Sequence, residues 1–419
     1  MEFKKLLKNE LLLKNIEEMG YVEATEIQEN VIPKVKSGKD IIGLAQTGTG
    51  KTAAFALPLL ENLLEHVADK QTKILILTPT RELAIQIRDN IMEFRRGTDF
   101  KCSVILGGIN QHSQKAVIKR GMEIIVATPG RLKDLLNNRK IRLDTVKTVV
   151  LDEADTMLDM GFIHDITDII KRCPKNRQTL LFSATMPDSV KKLAASIMTN
   201  PLHVKVNSII PKEQMKQVVY YVSKEKKKAL LLDLISTKEK PSTIIFARTK
   251  IMVDELEELF NEYKIKVSVL HGDKKQSNRV KAIKDFKEGK VRFLIATDVA
   301  ARGIDVNDLG LVINFDVPDK KELYIHRIGR TARAGKTGTA ITLCSNSEKK
   351  DLEKIERTIG LTLPSVDHKY KAKAYKKKEF VKEISKPKKK KNIRKTTVSK
   401  GPSKKYSSSK VTTKKKKRR

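Results

Sequence analysis

The sequence predicts an α/β protein: two tandem parallel-sheet domains, then a disordered basic tail. Three observations carry that expectation. Short apolar, β-branched runs alternate with longer helical patterns, as in parallel α/β sheets. The alternation pauses once, near Asn200–Gln217, where Pro201 and Pro211 fall, and then restarts. After about Asp367 the apolar periodicity ends, and Lys369–Arg419 holds 24 of the chain's 86 Lys/Arg against two of its 50 Asp/Glu.

The first series of runs begins at Asp40, Lys73, Cys102, Glu123, Thr148 and Gln178, and the second at Val218, Thr243, Val267, Arg292, Leu311 and Thr339. The runs are continuous rather than alternating, which means strands buried on both faces. The expected division is a first domain at 1–205, a linker at 206–217, a second domain at 218–367 and a tail at 368–419. The halves echo each other: Ile124-Ile-Val-Ala-Thr-Pro-Gly-Arg stands beside Leu294-Ile-Ala-Thr-Asp-Val-Ala-Ala-Arg-Gly. Duplication and shared strand composition both account for this echo. Polar clusters follow the strands directly, and ligands of open parallel sheets bind at the carboxyl ends of strands. Two such edges can face one cleft.

The chain has 419 residues and a net charge of +36, a balance that speaks for nucleic acid as a partner. The tail is too poor in apolar residues to offset its ordering entropy. An RNA-binding arm and a solubilising tail are the two readings of its charge. Three cysteines, Cys102, Cys173 and Cys344, form no CxxC pair, which argues against a disulfide framework or a structural zinc site. A reducing cytosol follows. No apolar run approaches the roughly 18 residues that span a bilayer. Met1–Leu13 mixes Lys, Glu and Asn among its leucines and reads as the start of an amphipathic helix rather than a signal peptide. The expectation is a soluble, cytoplasmic protein with no membrane partner.

Ala45-Gln46-Thr47-Gly48-Thr49-Gly50-Lys51-Thr52 follows a strand and should open a helix. Backbone N–H groups of such a loop cradle phosphates; Lys51 would reach the β/γ-phosphates and Thr52 would ligate Mg²⁺. There is one such loop, hence one ATP per chain. Val149-Val-Leu-Asp-Glu-Ala-Asp155 ends a strand in acids. Asp152 would hold the hydrated Mg²⁺ and Glu153 would deprotonate the attacking water. Arg327, Arg330 and Arg333 recur every third residue, which would put them on one face of a helical turn.

Asp152-Glu-Ala-Asp155 is the signature of the DEAD-box RNA helicases, and the remaining segments of that family follow in its order. They are Pro79-Thr-Arg-Glu-Leu83, Thr128-Pro-Gly-Arg131, Ser183-Ala-Thr185, Phe246-Ala-Arg248, His271-Gly-Asp with Gln276 and Arg279, Ala296–Asp305 and Tyr324–Arg333. The match spans roughly residues 1–350. Leu158-Asp-Met-Gly-Phe-Ile-His-Asp resembles the bacterial RhlE-type subgroup.

The resemblance implies two RecA-like domains. It implies an ATP-dependent RNA helicase that closes on RNA, hydrolyses ATP and locally unwinds short duplexes or remodels RNA–protein complexes. An ATP-gated RNA clamp or scaffold, serving ribosome assembly or mRNA turnover, is the alternative. It places an adenine-reading segment at Phe3, Gly20-Tyr21 and Gln28, with Ala24 and Glu26 where the family has prolines. It makes Arg330 and Arg333 arginine fingers and Asp305 the ribose contact. Ser183 and Thr185 would couple nucleotide state to RNA grip, although Ser-Ala-Thr after a strand also reads as a helix N-cap. The implied RNA contacts are Arg81, Gly108, Thr128, Gly130 and Arg131 in the first domain, and Arg248, Gly272, Gln276, Arg279 and Thr297 in the second. Such groups suit phosphate and sugar, so RNA would be held with little sequence preference. Ribosomal and RNA-decay complexes are the implied partners.

Overall fold

The computed structural model describes residues 1–46, 48–65, 71–108, 121–206, 215–236, 241–302, 304, 306, 309–331 and 337–370. The first half forms a parallel sheet from β1 (Ile41–Leu44), β2 (Ile74–Leu77), β3 (Cys102–Ile105), β4 (Ile124–Ala127), β5 (Thr148–Leu151), β6 (Gln178–Ser183) and β7 (Leu202–Lys205). Their spatial order is β3-β4-β2-β5-β6-β1-β7. The second half contributes β8 (Met215–Tyr221), β9 (Thr243–Phe246), β10 (Val267–Leu270), β11 (Phe293–Ala296), β12 (Leu311–Asn314) and β13 (Gly338–Cys344). These stand in the order β10-β11-β9-β12-β13-β8, again all parallel.

Counted within its own half, each sheet runs third, fourth, second, fifth, sixth, first. The echoing segments therefore sit at equivalent places, β4 followed by Thr128 and β11 followed by Thr297, each threonine preceding a helix at its N-cap. Shared strand composition alone would not reproduce the strand order, so duplication is the better account of the echo.

Every residue of β2, β4, β5, β9, β11 and β12 is buried, as continuous apolar runs require. β7 is the strand that the apolar pattern does not announce. Its sequence, Leu-His-Val-Lys, buries only Val204, because it lies at the sheet edge and pairs with β1 alone. β8 opens at Met215, inside the expected linker, because its pairing with β13 extends the strand past the apolar core of the run.

The N-terminal segment is pinned to the helix that carries the phosphate loop. Glu61 of helix Lys51–Glu65 accepts the backbone N–H groups of Lys8 and Asn9 and pairs with Lys36. Burial would raise the Glu61 carboxyl, but these partners hold it below the usual carboxylate range. Residues 361–366, after helix Lys349–Ile359, return to β8, where the Val219 N–H donates to Pro364 O and the Val366 N–H to Val219 O, covering that edge. Among the described residues no helix is long and apolar enough to cross a membrane.

Candidate functional site

β1 runs into the Gly-rich loop, and Lys51 is the first residue of the helix that follows. The helix N-terminus thus points beyond the carboxyl end of β1, where an anion is favoured. Lys51 is buried and donates from Nζ to Ala45 O at 3.0 Å. Thr49 Oγ1 donates to Gln46 O at 2.8 Å. Gly50 has φ +92°, and a Cβ there would lie 2.4 Å from Gln28 Nε2, so backbone and neighbour both require glycine. Thr47 lies outside the described residues.

Gln28 reaches this loop from helix Glu26–Lys36. Its Oε1 accepts the Thr25 N–H at 2.8 Å, and its Nε2 donates to Gly50 O at 3.2 Å. Thr25 Oγ1 donates to Thr49 O at 2.8 Å. A Thr25/Gln28 capping box starts the helix, so Ala24 and Glu26 in place of the family's prolines leave the turn intact. Phe3 does not line the cavity over this loop. It is buried edge-on against Tyr21, with ring centroids 5.9 Å apart, and Tyr21 is the aromatic that faces the cavity.

A cavity of about 300 Å³ lies over the loop. From the first half it is lined by Tyr21, Gly48, Gly50, Lys51, Thr52, Gln86, Asn90, Asp152 and Glu153, and from the second by Ile304 and Arg330. Asp152 and Glu153 leave the end of β5 buried. Glu153 takes φ 51° and ψ 52°, a left-handed conformation that a non-glycine residue adopts at some cost. Burial, opposed by Lys51, pushes its carboxyl up to about 7, and burial likewise raises Asp152. Among the described residues the Asp152 carboxylate accepts the Glu153 N–H alone. Buried carboxylates with spare lone pairs beside the Thr52 hydroxyl form a donor set suited to a hard divalent cation.

The next acid turns the other way. Asp155 Oδ2 accepts from Thr185 N at 2.9 Å and Thr185 Oγ1 at 2.7 Å, while Ser183 Oγ accepts the Asp155 N–H at 3.3 Å. Ser183 and Thr185 are therefore tied to the β5 acids, and the N-cap of helix Asp188–Ile197 is Pro187 instead. Burial lowers the His326 imidazole pKa, against the pull of Asp155.

The arginine triplet does not share one face. Helix Lys321–Ile328 ends before Arg330. Arg327 turns into the second half, where its Nε and Nη2 meet Asp298 at 2.6 and 2.7 Å and its Nη1 donates to Asp316 O at 2.7 Å. Arg330 faces the nucleotide cavity and donates to Ile304 O. Arg333 and Asp305 lie outside the described residues.

The second half holds an internal counterpart of the loop. Lys227 opens the helix after β8 as Lys51 does after β1, and Asp316 follows β12 as the acids follow β5. Here the lysine is closed upon the acids: Nζ lies 3.1 Å from Asp316, 2.7 Å from Glu348 and 2.7 Å from Phe315 O. Its charge is neutralised inside the domain, which is consistent with one triphosphate per chain.

A second cavity, about 270 Å³, bridges the halves. Of the residues expected on RNA it gathers Arg81, Thr128, Gly130, Arg131, Gly272 and Arg279. Gly108 (φ +74°) sits under Arg81, whose Nη1 would be 2.4 Å from a Cβ there. Arg131 Nε donates to Leu106 O at 3.2 Å. Gly108 and three further expected contacts do not line it. Thr297 precedes helix Asp298–Ala301, Arg248 Nη2 donates to Val317 O at 2.6 Å, and Gln276 Nε2 donates to Glu82 Oε1 at 2.8 Å.

Glu82 is a residue that sequence reasoning missed. It also pairs with Arg279 at 2.9 Å, both side chains nearly enclosed. Asp159 likewise meets Arg302 at 3.2 Å and Lys320 at 3.3 Å, and Thr80 Oγ1 donates to Arg302 O at 3.3 Å. The only sequence signal was an acid directly after Arg81 in the segment Pro79–Leu83. Removing one partner of a buried pair costs about 3–5 kcal/mol. Glu82→Ala should therefore lower the ratio of RNA-stimulated to RNA-free ATP turnover by about tenfold or more. An unchanged ratio would show that the pair does not hold the halves together.

The profile of DEAD/DEAH box helicases matches residues 25–193, and that of the helicase conserved C-terminal domain matches residues 226–335. The chain is 44% identical over 366 residues to the DEAD-box ATP-dependent RNA helicase CshA of Bacillus cereus, covering 87% of its own length and 69% of that protein's. Among solved structures it is similar to S. cerevisiae Dbp5 bound to RNA and ADP BeF3, at 32% identity, TM-score 0.77, and 87% and 95% coverage of the two chains. It is also similar to Mss116p bound to ssRNA and AMP-PNP, at 30% identity, TM-score 0.78, and 87% and 78% coverage. With the phosphate loop, the β5 acids and the bridging cleft in place, these likenesses show that the chain belongs to the DEAD-box family of ATP-dependent RNA helicases.

Proposed function

We propose that this helicase works as a two-half clamp in which one ATP and one RNA strand together draw the sheets into contact. The observation that carries the reading is Arg330, a cation of the second half in the same cavity as Lys51, Thr52, Asp152 and Glu153. Lys51 and the loop N–H groups hold the β- and γ-phosphates. Thr52 and Asp152 would hold Mg²⁺, which supplies charge neutralisation to the phosphoryl oxygens. Glu153 takes a proton from water as the water oxygen bonds the γ-phosphorus. The bond to the β–γ bridging oxygen breaks, and Arg330, with Arg333, stabilises the charge that develops before ADP and phosphate leave. Asp155, Ser183 and Thr185 link the acids to β6, so a change at the γ-phosphate reaches the RNA-facing surface.

RNA lies in the second cavity, held through phosphate and ribose by Arg81, Arg131 and the exposed glycines. Bending one strand there would exclude its partner and melt a short duplex. The ion pairs of Glu82 and Asp159 favour the closed form, which also supports the clamp reading: a slow hydrolase with such pairs retains RNA between turnovers. The similar RNA-bound relatives support the same arrangement. ATPase stimulation by an oligoribonucleotide, set beside the oligodeoxynucleotide of equal sequence, tests the reading. Equal stimulation by both would overturn it.

A first domain at 1–205, a second that opens with β8 at Met215 and runs to 367, and a tail at 368–419 belong to this reading, as does a cytoplasmic setting. The setting is supported by three cysteines that are not paired in disulfides. Ribosome assembly and RNA decay are the settings that suit an RNA clamp of low sequence preference. The RhlE-type resemblance rests on Leu158–Asp165 alone; the Bacillus relative carries another subgroup name, CshA, and the mechanism needs only the family. The tail supplies sequence-blind affinity. Truncation after Tyr370 should flatten the slope of log affinity against log salt by about 0.7 for each phosphate that the tail neutralises. A slope equal to that of the full chain would remove the tail from RNA binding.

A further inference from the structure

We infer that Gln86 and Asn90, which line the cavity over the phosphate loop, are ligands of the nucleoside half of ATP. The inference rests on the assignment of the phosphate-loop cavity to ATP and goes beyond the residues so far given roles there.

Helix Arg81–Phe94 carries Leu83, Gln86 and Asn90 at i, i+3 and i+7, one stripe of its surface. All three line the cavity over the phosphate loop. Gln86 and Asn90 are not needed for packing, because the buried face of the helix is supplied by Leu83, Ala84, Ile87, Ile91 and Phe94. Gln86 and Asn90 are half-buried, and neither side-chain amide has a hydrogen-bond partner among the described residues. Two amides with donor and acceptor both unused, facing a polar cavity, are suited to a ligand that carries both kinds of group at its edge. A nucleoside does; a phosphate chain, which only accepts, would be met by cations and N–H groups instead.

The position along the helix fixes which part of the ligand is read. Phe94, one turn beyond Asn90, packs edge-on against Tyr21 at 5.9 Å. Tyr21 belongs to the segment that ends in Gln28, and Gln28 touches the loop at Gly50. Asn90 therefore lies toward the aromatic end of the cavity, away from Lys51 and Glu153, and Gln86 lies between. Gln28 already makes one bond at each end of its amide, to Thr25 and Gly50, so it alone offers the base few contacts. The same helix begins with Arg81 and Glu82, the first in the bridging cleft and the second paired with Gln276 and Arg279. One rigid element thus touches the nucleoside, the RNA cleft and the other half.

The test uses the full chain with Gln86→Ala, Asn90→Ala and the double variant. Steady-state ATPase is measured with saturating oligoribonucleotide, and inorganic tripolyphosphate serves as a competitive inhibitor that engages the loop without a nucleoside. Each single variant should raise KM for ATP about two- to tenfold, the worth of one hydrogen bond, and the double variant more, with kcat at saturating ATP within about twofold. The inhibition constant of tripolyphosphate should stay that of the wild type. An unchanged KM for ATP overturns the inference. So does a parallel loss of tripolyphosphate affinity, because the amides would then act on the loop. A Lys51→Ala chain that still hydrolyses ATP would instead overturn the assignment of the cavity itself, an outcome separate from either.

Discussion

Glu153→Gln is expected to lower ATP turnover by about 10²–10⁴-fold, the usual worth of a positioned general base, while leaving ATP-dependent RNA retention intact. Glutamine keeps the volume of the side chain and removes only its ability to take a proton. The phosphate loop, Arg330 and the cross-half pairs of Glu82 and Asp159 are untouched, so closure is preserved and reopening is not. The variant should hold labelled oligoribonucleotide through a competitor chase in the presence of ATP. Normal hydrolysis would remove Glu153 from the role of base. The same change carries a stability signature. Burial lifts the Glu153 carboxyl from 4.5 to about 7 in the folded chain, so the fold favours the protonated acid. Ionisation then costs stability progressively from about pH 4.5 upward, reaching its full extent above pH 7. The ligand-free variant should be more stable than the wild type at pH 8, by up to about 3 kcal/mol, and should lose that advantage near pH 4.5. Thermal melts at the two pH values read this directly.

Arg330→Ala is expected to lower turnover by about 10³–10⁵-fold, the range of arginine fingers in phosphoryl transfer. The guanidinium is buried, faces the cavity of the opposite half and is held by the Ile304 carbonyl. Arg330→Lys should recover little, because a lysine ammonium is a point charge without the planar fork. ATP binding to the ligand-free chain, set by the first half, should change far less than kcat. A loss confined to KM would place Arg330 in ground-state binding instead.

The chemistry of the first half was legible because each group lies in one contiguous segment after a strand. The phosphate loop follows β1, and Asp152 and Glu153 follow β5. What sequence spacing could not give was where an element stops. Arg327 and Arg330 are three residues apart, but the helix ends at Ile328, so one turns into the second half and the other into the cleft. The edge strand β7 was hidden because a strand buried on one face at one residue has no apolar run. Glu82 and Asp159 were missed because their partners come from the other sheet, and no local pattern records a contact between halves. Gln276 and Arg279 were placed on RNA by the family resemblance; in the structure both engage Glu82, and Arg279 alone also lines the cleft. Phe3 was read as a nucleotide contact, but it packs under Tyr21, a distinction that only burial reveals.

The central claim is that the second half completes the triphosphate pocket. A crystal structure of the full chain with ADP–beryllium fluoride and an oligoribonucleotide tests it most directly. The account predicts the Arg330 guanidinium at about 3 Å from the fluoride group that stands in for the γ-phosphate. A γ-phosphate mimic contacted by the first half alone, with Arg330 still on the Ile304 carbonyl, would contradict it.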